Sequence, residues 1–202
     1  MARYKGPRLR ISRRYGTPIF GPSKYLERKN YPPGVHGPKS RRKQTDYAEA
    51  LGEKQKLRYI YGLLERQFRR VFQTARKKRG ATPEQLMQLL ETRLDNVVFR
   101  MGFATTRPFA RQMVNHGHVR VNGKRVSIPS FNVKAGDMIE TGASARAKQL
   151  FQKNLEATQI ITVPDWLAVN REAMRGQIAR IPTMEDIQPN VNVRQVVEFY
   201  SR

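Results

Sequence analysis

Between Val119 and Val126 the chain reads Val-Arg-Val-Asn-Gly-Lys-Arg-Val, two alternating runs on either side of Asn122-Gly123. No other stretch restricts the fold so tightly. Both loop residues of a type I′ turn need positive φ, which Asn and Gly tolerate, and the alternation suits strands with one buried face. With a two-residue loop, Val121 faces Lys124, Arg120 faces Arg125 and Val119 faces Val126. Val119 and Val126 then form the buried pair, while Arg120 and Arg125 oppose each other with His118 beside them. Directly opposed like charges destabilise a strand pair unless an anion lies over them, which makes this face a candidate anion-binding surface. Val133-Lys134-Ala135-Gly136-Asp137-Met138-Ile139 reads as a further strand–turn–strand closing a small sheet.

Helical patterning precedes the hairpin. From about Asp46 the period is helical, and Gly62 marks a bend between two helices. In the second, Leu64, Phe68, Val71, Phe72 and Ala75 make one apolar face. Arg66, Arg69, Arg70, Gln73, Arg76 and Lys77 fall on the opposite side. A solvated face normally intersperses acids as i,i+4 ion pairs; this one has almost none, so a helix laid on phosphates fits better. Thr82-Pro83-Glu84 opens the next helix, with Thr82 as N-cap and Pro83 at the first position. From Gln85 to Gly102 the residues Leu86, Leu90, Leu94, Val97, Val98 and Met101 keep one helical period, with Arg93, Asn96 and Arg100 on its flank. Thr106-Arg107-Pro108 caps a further helix running to Asn115. It buries Ala110, Met113 and Val114 and displays Arg107, Arg111 and Asn115.

Charge indicates the partner. The 202 residues carry 39 Lys+Arg against 16 Asp+Glu, a net +23. Such an excess predicts binding to a polyanion and says nothing of fold. Residues 1–45 alone hold 13 Lys/Arg and one acid, Glu27, together with six prolines and five glycines. That many breakers forbid long helices or central strands, leaving a disordered tail or an arm that orders on an anionic surface. Tyr4, Tyr15, Phe20, Tyr25 and Tyr31 interleave with the cations and favour the ordered arm, stacking on bases or packing on a core. The chain has no cysteine, which excludes disulfides and thiolate metal sites. Its first residues lack the apolar stretch of a secretory signal, so a soluble intracellular protein is expected, with no membrane span.

Arg93-Leu94-Asp95-Asn96-Val97-Val98-Phe99-Arg100-Met101-Gly102-Phe103, then Thr106-Arg107 with Ala110-Arg111-Gln112, then His116-Gly117-His118-Val119 with Val121-Asn122-Gly123, resembles the S-four RNA-binding domain. The likeness is strongest to the small-subunit ribosomal protein family that gives the domain its name. Glu53-Lys54-Gln55-Lys56-Leu57-Arg58, Tyr61-Gly62-Leu63 with Glu65-Arg66-Gln67, and the closing Glu198-Phe199-Tyr200-Ser201-Arg202 extend it over nearly the whole chain. The resemblance is bacterial or plastid in type, which implies a cytoplasmic ribosome or one of the plastid stroma. Many members carry a zinc-binding cysteine cluster in the arm; it is not carried over here. The resemblance implies binding to a junction of small-subunit ribosomal RNA early in assembly. It further implies a place near where messenger RNA enters, contact with neighbouring small-subunit proteins, a link to translational accuracy, and no homo-oligomer.

Other functions compete weakly. Enzymes that carry this domain need a separate catalytic domain of well over a hundred residues, and only 63 residues follow Ile139. No phosphate-binding Gly-rich loop is present. His116 and His118 lack further ligands, the third histidine being the remote His36, so a structural or RNA-facing role is preferred to a metal site. Asp95 and Asp137 read as structural, Asp95 as partner to a neighbouring Arg or backbone turn. The alternative within nucleic-acid binding is a stand-alone RNA chaperone or translational repressor using the same surface; an RNA-modifying enzyme is a distant third.

The last quarter alternates the short β-like runs Ile160–Val163 and Gln177–Pro182 with a helix over Ala145–Asn154. Trp166 and Leu167 are expected as core anchors. Val196–Tyr200 is a candidate to return to the helical domain.

The expected architecture is α+β: a basic Pro/Gly-rich arm (1–45), a helical RNA-binding domain (46–90), an S-four domain of helix–turn–helix plus small β-sheet (91–155), and C-terminal strands and extension (156–202). The candidate RNA-binding residues are Arg3, Arg8, Arg10, Arg13 and Arg14 in the arm; Lys54, Lys56, Arg58, Arg66, Arg69, Arg70, Arg76 and Lys77 in the helices; and Arg93, Asn96, Arg100, Thr106, Arg107, Arg111, Gln112, Asn115, His116, His118, Arg120, Lys124 and Arg125 beyond them. No catalytic residue, metal or cofactor is expected.

Overall fold

The computed structural model describes residues 4–21, 23–38, 45–159 and 162–201. Two compact units emerge, one from residues 1–73 with 189–202 and the other from Thr74–Gln188. This division differs from the four segments read along the sequence: the packing boundary falls after Gln73, inside a helix, and the chain's end belongs with its beginning. Arg3 and the pair Ile160-Ile161 lie outside the described residues.

In the first unit the breaker-rich arm forms only short helices, α1 (Arg8–Tyr15) and α2 (Lys24–Arg28). Its aromatics mostly face inward: Tyr4 meets Tyr59 edge-on at 5.2 Å and Phe20 lies 6.3 Å from the same ring, while Tyr25 is exposed. Helix α3 (Asp46–Ile60) starts under the Thr45 hydroxyl, which accepts from the Ala48 amide. It ends at Gly62, whose φ of 63° lets Leu63 N–H reach the Arg58 carbonyl at 3.0 Å and turn the chain into α4 (Glu65–Lys77). The C-terminal helix (Val193–Ser201) packs along α3. Tyr200 stacks on Phe72 at 4.7 Å and on Phe68 at 6.0 Å.

In the second unit, the single helical period over 85–102 is broken. Helix α5 (Thr82–Glu91) stops and α6 (Leu94–Arg100) starts afresh, with Arg93 extended between them. The loop at 129–133 causes the break: Leu94 N–H donates to the Phe131 carbonyl at 2.8 Å and Val133 N–H to the Thr92 carbonyl at 2.9 Å. These bonds replace helical ones. At the start of α5, Thr82 is already helical and Ala81 stands at the N-cap, so Thr82 does not cap. Helix α7 (Arg107–Asn115) begins as expected, the Thr106 hydroxyl accepting from Phe109 N–H.

The sheet is antiparallel in the order β2-β1-β3-β5-β4, with β1 (Val119–Val121), β2 (Lys124–Arg125), β3 (Met138–Thr141), β4 (Leu167–Asn170) and β5 (Arg175–Ile178). Hairpin register is as read, Arg120 opposite Arg125 and Val121 opposite Lys124, with Asn122 at φ 51° and Gly123 at 75°. The Asn122 side chain donates to Asp137 and accepts from Met138 N–H, both at 2.9 Å, which ties the hairpin tip to the turn before β3. Val133 joins no strand, Thr162-Val163 are irregular, and the later run is a strand two residues earlier than the pattern suggested.

Val119, Val121, Ile139, Leu167 and Ile178 on the inner face pack with α6, α7, the buried Trp166 and α8 (Ala145–Ala157) in one core. Gly176 leaves room for Met101 there: a Cβ would stand 2.6 Å from its sulfur, and that side chain would have to shift. A short helix α9 (Met184–Ile187) packs on α5 before the C-terminal helix, α10. No helix among the described residues is long and apolar enough to cross a membrane.

Candidate nucleic-acid interface

Helix α4 separates its residues as the spacing demands. Phe68, Phe72 and Ala75 are buried, and Arg66, Arg69, Arg70, Gln73, Arg76 and Lys77 are all exposed. Arg66, Arg69, Arg76 and Lys77 make no ion pair among the described residues. The one acid of the helix, Glu65, is engaged at its start by Lys54 at 2.9 Å and by the Tyr200 hydroxyl at 2.7 Å. Burial alone would raise the Glu65 carboxyl. The bonds from Tyr200 and Lys54, with the charges of Lys54 and Arg58, outweigh it and hold the pKa below the ordinary value. Burial first, and then the bond to Glu65, push the Tyr200 phenol well above its usual range.

Lys54, Lys56 and Arg58 are therefore not a displayed basic patch. Lys54 is buried beneath Phe199 and Tyr200, Lys56 pairs with Glu53, and Arg58 donates to Gln55 at 2.8 Å and lies over Tyr59. Arg13 likewise turns into its own arm, donating to the Lys29 and Tyr31 carbonyls at 3.2 Å with its guanidinium 4.8 Å from the Tyr31 ring centre. Arg8, Arg10 and Arg14 remain exposed on α1.

The arginines expected along the flanks of α6 and α7 are drawn inward instead. Asp95, 5% exposed, accepts two bonds from Arg93 at 3.1 and 2.9 Å and another from Arg111 at 2.8 Å; both arginines are buried. Glu91, wholly buried, accepts from Asn96 at 2.6 Å and from Arg100 at 3.1 and 2.8 Å. Arg107 donates to the Asn96 side-chain oxygen at 2.8 Å and lies over Phe99. Two buried carboxylates thus collect three guanidinium groups directly, as buried acids must be paired to keep their charge, and Arg107 joins them through Asn96. The reading of these residues as an outward ridge is corrected accordingly: they lock α5, α6 and α7 together. Asp95 is structural, as read from sequence with a neighbouring Arg as partner, and the fold adds Arg111 as a second.

The hairpin does bring cations to the surface. Lys124 and Arg125 are exposed and Arg120 half-buried, and the exposed row across the sheet runs Arg125, Arg120, Glu140, Arg175. Glu140 answers part of the like-charge opposition from the next strand and pairs with Arg175 at 3.3 Å. Arg125 also reaches across Gly117 to the His116 carbonyl at 3.4 Å. His116 and His118 stand edge to face, 6.0 Å apart. They open onto a groove between α7 and α8 lined by Phe109, Gln112, Met113, Gln149, Leu150 and Lys153. Asn115 is exposed at the end of α7. Gln149, Lys153 and Arg175 were not singled out from sequence. Only the packing of α8 on α7, and the pairing of β5 with β3, brings them to this surface. Among the described residues no group of three or more metal-ligating side chains forms.

Comparison with known proteins decides the family. The model described as ribosomal protein S4/S9 N-terminal domain matches residues 3–91, and that described as S4 domain matches residues 92–139. Small ribosomal subunit protein uS4 of Opitutus terrae is 56% identical over 202 residues, covering all of both chains. Those of Akkermansia muciniphila and Thermus thermophilus are 51% and 48% identical, again over the whole of each. The chain belongs to the uS4 family. The resemblance read from the motifs around Arg93 and His116 thus extends over the full length, and the boundary between the two family models, at 91/92, falls at the break between α5 and α6.

Proposed function

We propose that this chain is a structural, non-catalytic component of the small ribosomal subunit of the bacterial cytoplasm, holding small-subunit ribosomal RNA against its basic faces. The exposed α4 face carries the reading: five Lys/Arg and a glutamine on one side of a helix whose single acid is taken up elsewhere. Release of counterions from RNA phosphates would drive that contact and make it salt-dependent. The arm's Arg8, Arg10 and Arg14 and the hairpin's Arg120, Lys124 and Arg125 offer further cations on separate elements, which suits a folded junction better than one groove. On this reading the protein binds early in assembly, lies near where messenger RNA enters, and touches neighbouring small-subunit proteins in a way linked to translational accuracy.

Sedimentation tests it. The tagged full chain should run with small ribosomal subunits at one copy each through a high-salt wash. Loss from the subunits in that wash, or sedimentation with bulk RNA alone, overturns the proposal.

A further inference from the structure

We propose that the groove between α7 and α8 is a pocket for one unstacked nucleotide of the bound RNA, an inference that rests on the RNA-binding reading above. The groove encloses about 410 Å³, within the range of small-ligand sites. Its chemistry is that of a nucleotide site. Met113 forms a buried floor, with the half-buried Phe109 and Leu150 beside it. Those apolar surfaces suit the face of a base. Gln112 and Gln149 stand exposed on the two walls, and each amide offers a donor and an acceptor, the pair of groups a base edge presents. His116 and His118 supply flat rings at one end, and Lys153 supplies a cation for the phosphate. Among the described residues no carboxylate lines the groove, so an acidic ligand meets no repulsion from them.

The walls are held in place. Asn154 donates to the Phe103 carbonyl at 3.0 Å and Thr158 to the Gly102 carbonyl at 2.6 Å, which pins the end of α8 to the turn before α7. Gly142 N–H meets the His118 carbonyl at 2.7 Å just ahead of α8. A preformed site of this kind loses little freedom on binding. RNA recognition by protein generally works on bases splayed out of the helix, and a groove between two fixed helices takes one such base.

The test uses the full chain, protein-free small-subunit ribosomal RNA, and the variants Gln149→Ala, Lys153→Gln and, as a control on α4, Arg69→Gln. Affinity is measured at several salt concentrations, with chemical probing of base faces. Gln149 and Lys153 are exposed, and unchanged circular dichroism verifies folding. Gln149→Ala should weaken binding about fivefold or more, since a good side-chain-to-base pair contributes at least that much, and leave the salt slope as it was. Lys153→Gln should lower the slope by somewhat under one unit, about 0.7 to 0.9. One unpaired base protected by the wild type should become reactive with Gln149→Ala. Unchanged affinity and protection in both groove variants, with a reduced slope for Arg69→Gln, would overturn the pocket while RNA binding stands. A wild type that shows no preference for this RNA over unrelated RNA would overturn both.

Discussion

Helix α4 and the stretch from Glu91 to Arg111 carry comparable runs of basic residues at helical spacing, yet the fold sends them in opposite directions. On α4 the cations face out. Around α6 and α7 they fold onto Glu91 and Asp95. Spacing places a residue on a face, but a guanidinium on a long stem goes where a desolvated carboxylate can be reached, here up to sixteen residues away along the chain. The α4 run has one acid, and Lys54 and Tyr200 occupy it. The second run has two, both buried. Acid count within reach, not period, separates a displayed basic face from an internal lock.

Removing a carboxylate should break the second region and not the first. Asp95→Ala leaves Arg93 and Arg111 buried without their anion, and such a loss costs about 3 to 5 kcal/mol of stability. Denaturant unfolding of the full chain measures it, with Arg66→Ala on α4 as the contrast, expected within about 0.5 kcal/mol of wild type. A cost for Asp95→Ala no larger than that for Arg66→Ala would mean that the lock does not hold the helices. Arg111→Lys keeps the charge but loses part of the fork onto Asp95, and about 1.5 kcal/mol should go, the scale of one hydrogen bond to a charged group. Here the change should appear in unfolding and not in RNA affinity of the folded protein.

The acid of α4 gives a pH test of the first unit. Folding lowers the Glu65 pKa, so its contribution is present above the ordinary value near 4.5 and is lost as pH falls through the folded pKa. Tyr200 runs the other way. Its folded pKa lies above the ordinary 10.0, so its contribution is complete below pH 10 and declines as pH rises past it. Tyr200→Phe should cost about 1 kcal/mol at neutral pH and flatten the alkaline limb of the stability profile. An alkaline limb of the same steepness in the variant would show that the Tyr200–Glu65 bond does not couple α10 to the helix.

Local features were legible in the sequence. Asn122-Gly123 set the hairpin register, Gly62 the turn between α3 and α4, Thr106 the start of α7, and Trp166 its place in the core, each through bonds or packing preferences of near neighbours. What escaped was set by distant partners. The break at Thr92–Arg93 arises from backbone hydrogen bonds with residues some forty positions on. The inward turn of Arg111 needed the position of Asp95 in space, and Lys153 joined His116 only when α8 packed on α7. The return of α10 to the helical unit was expected from Val196–Tyr200, but its seat along α3, with Asn192 N–H on Glu53 at 2.8 Å, leaves no periodic mark. Of the candidate site, α4 and the hairpin's Lys124 and Arg125 keep the exposed placement read for them, while Arg120 is half-buried and Lys54, Arg93, Asn96 and Arg111 are buried because acids lie close to them.

The smallest expected effect sharpens the comparison most directly, because the same substitution is made in both regions. Arg66→Gln removes one exposed cation from α4. If it neutralises a phosphate, the slope of log affinity against log salt should fall by about 0.7 to 0.9, roughly a threefold change in affinity between 50 and 200 mM salt. Stability should stay put, since among the described residues no carboxylate pairs with this guanidinium. Arg100→Gln removes a cation held by the buried Glu91 at 2.8 Å, and it should do the reverse: lower the unfolding midpoint and leave the slope of the surviving folded protein alone. Both variants lose one unit of charge, so any effect of net charge is common to them and cancels. Equal slope changes would mean that total charge governs RNA binding and that the direction in which each arginine points is irrelevant to it.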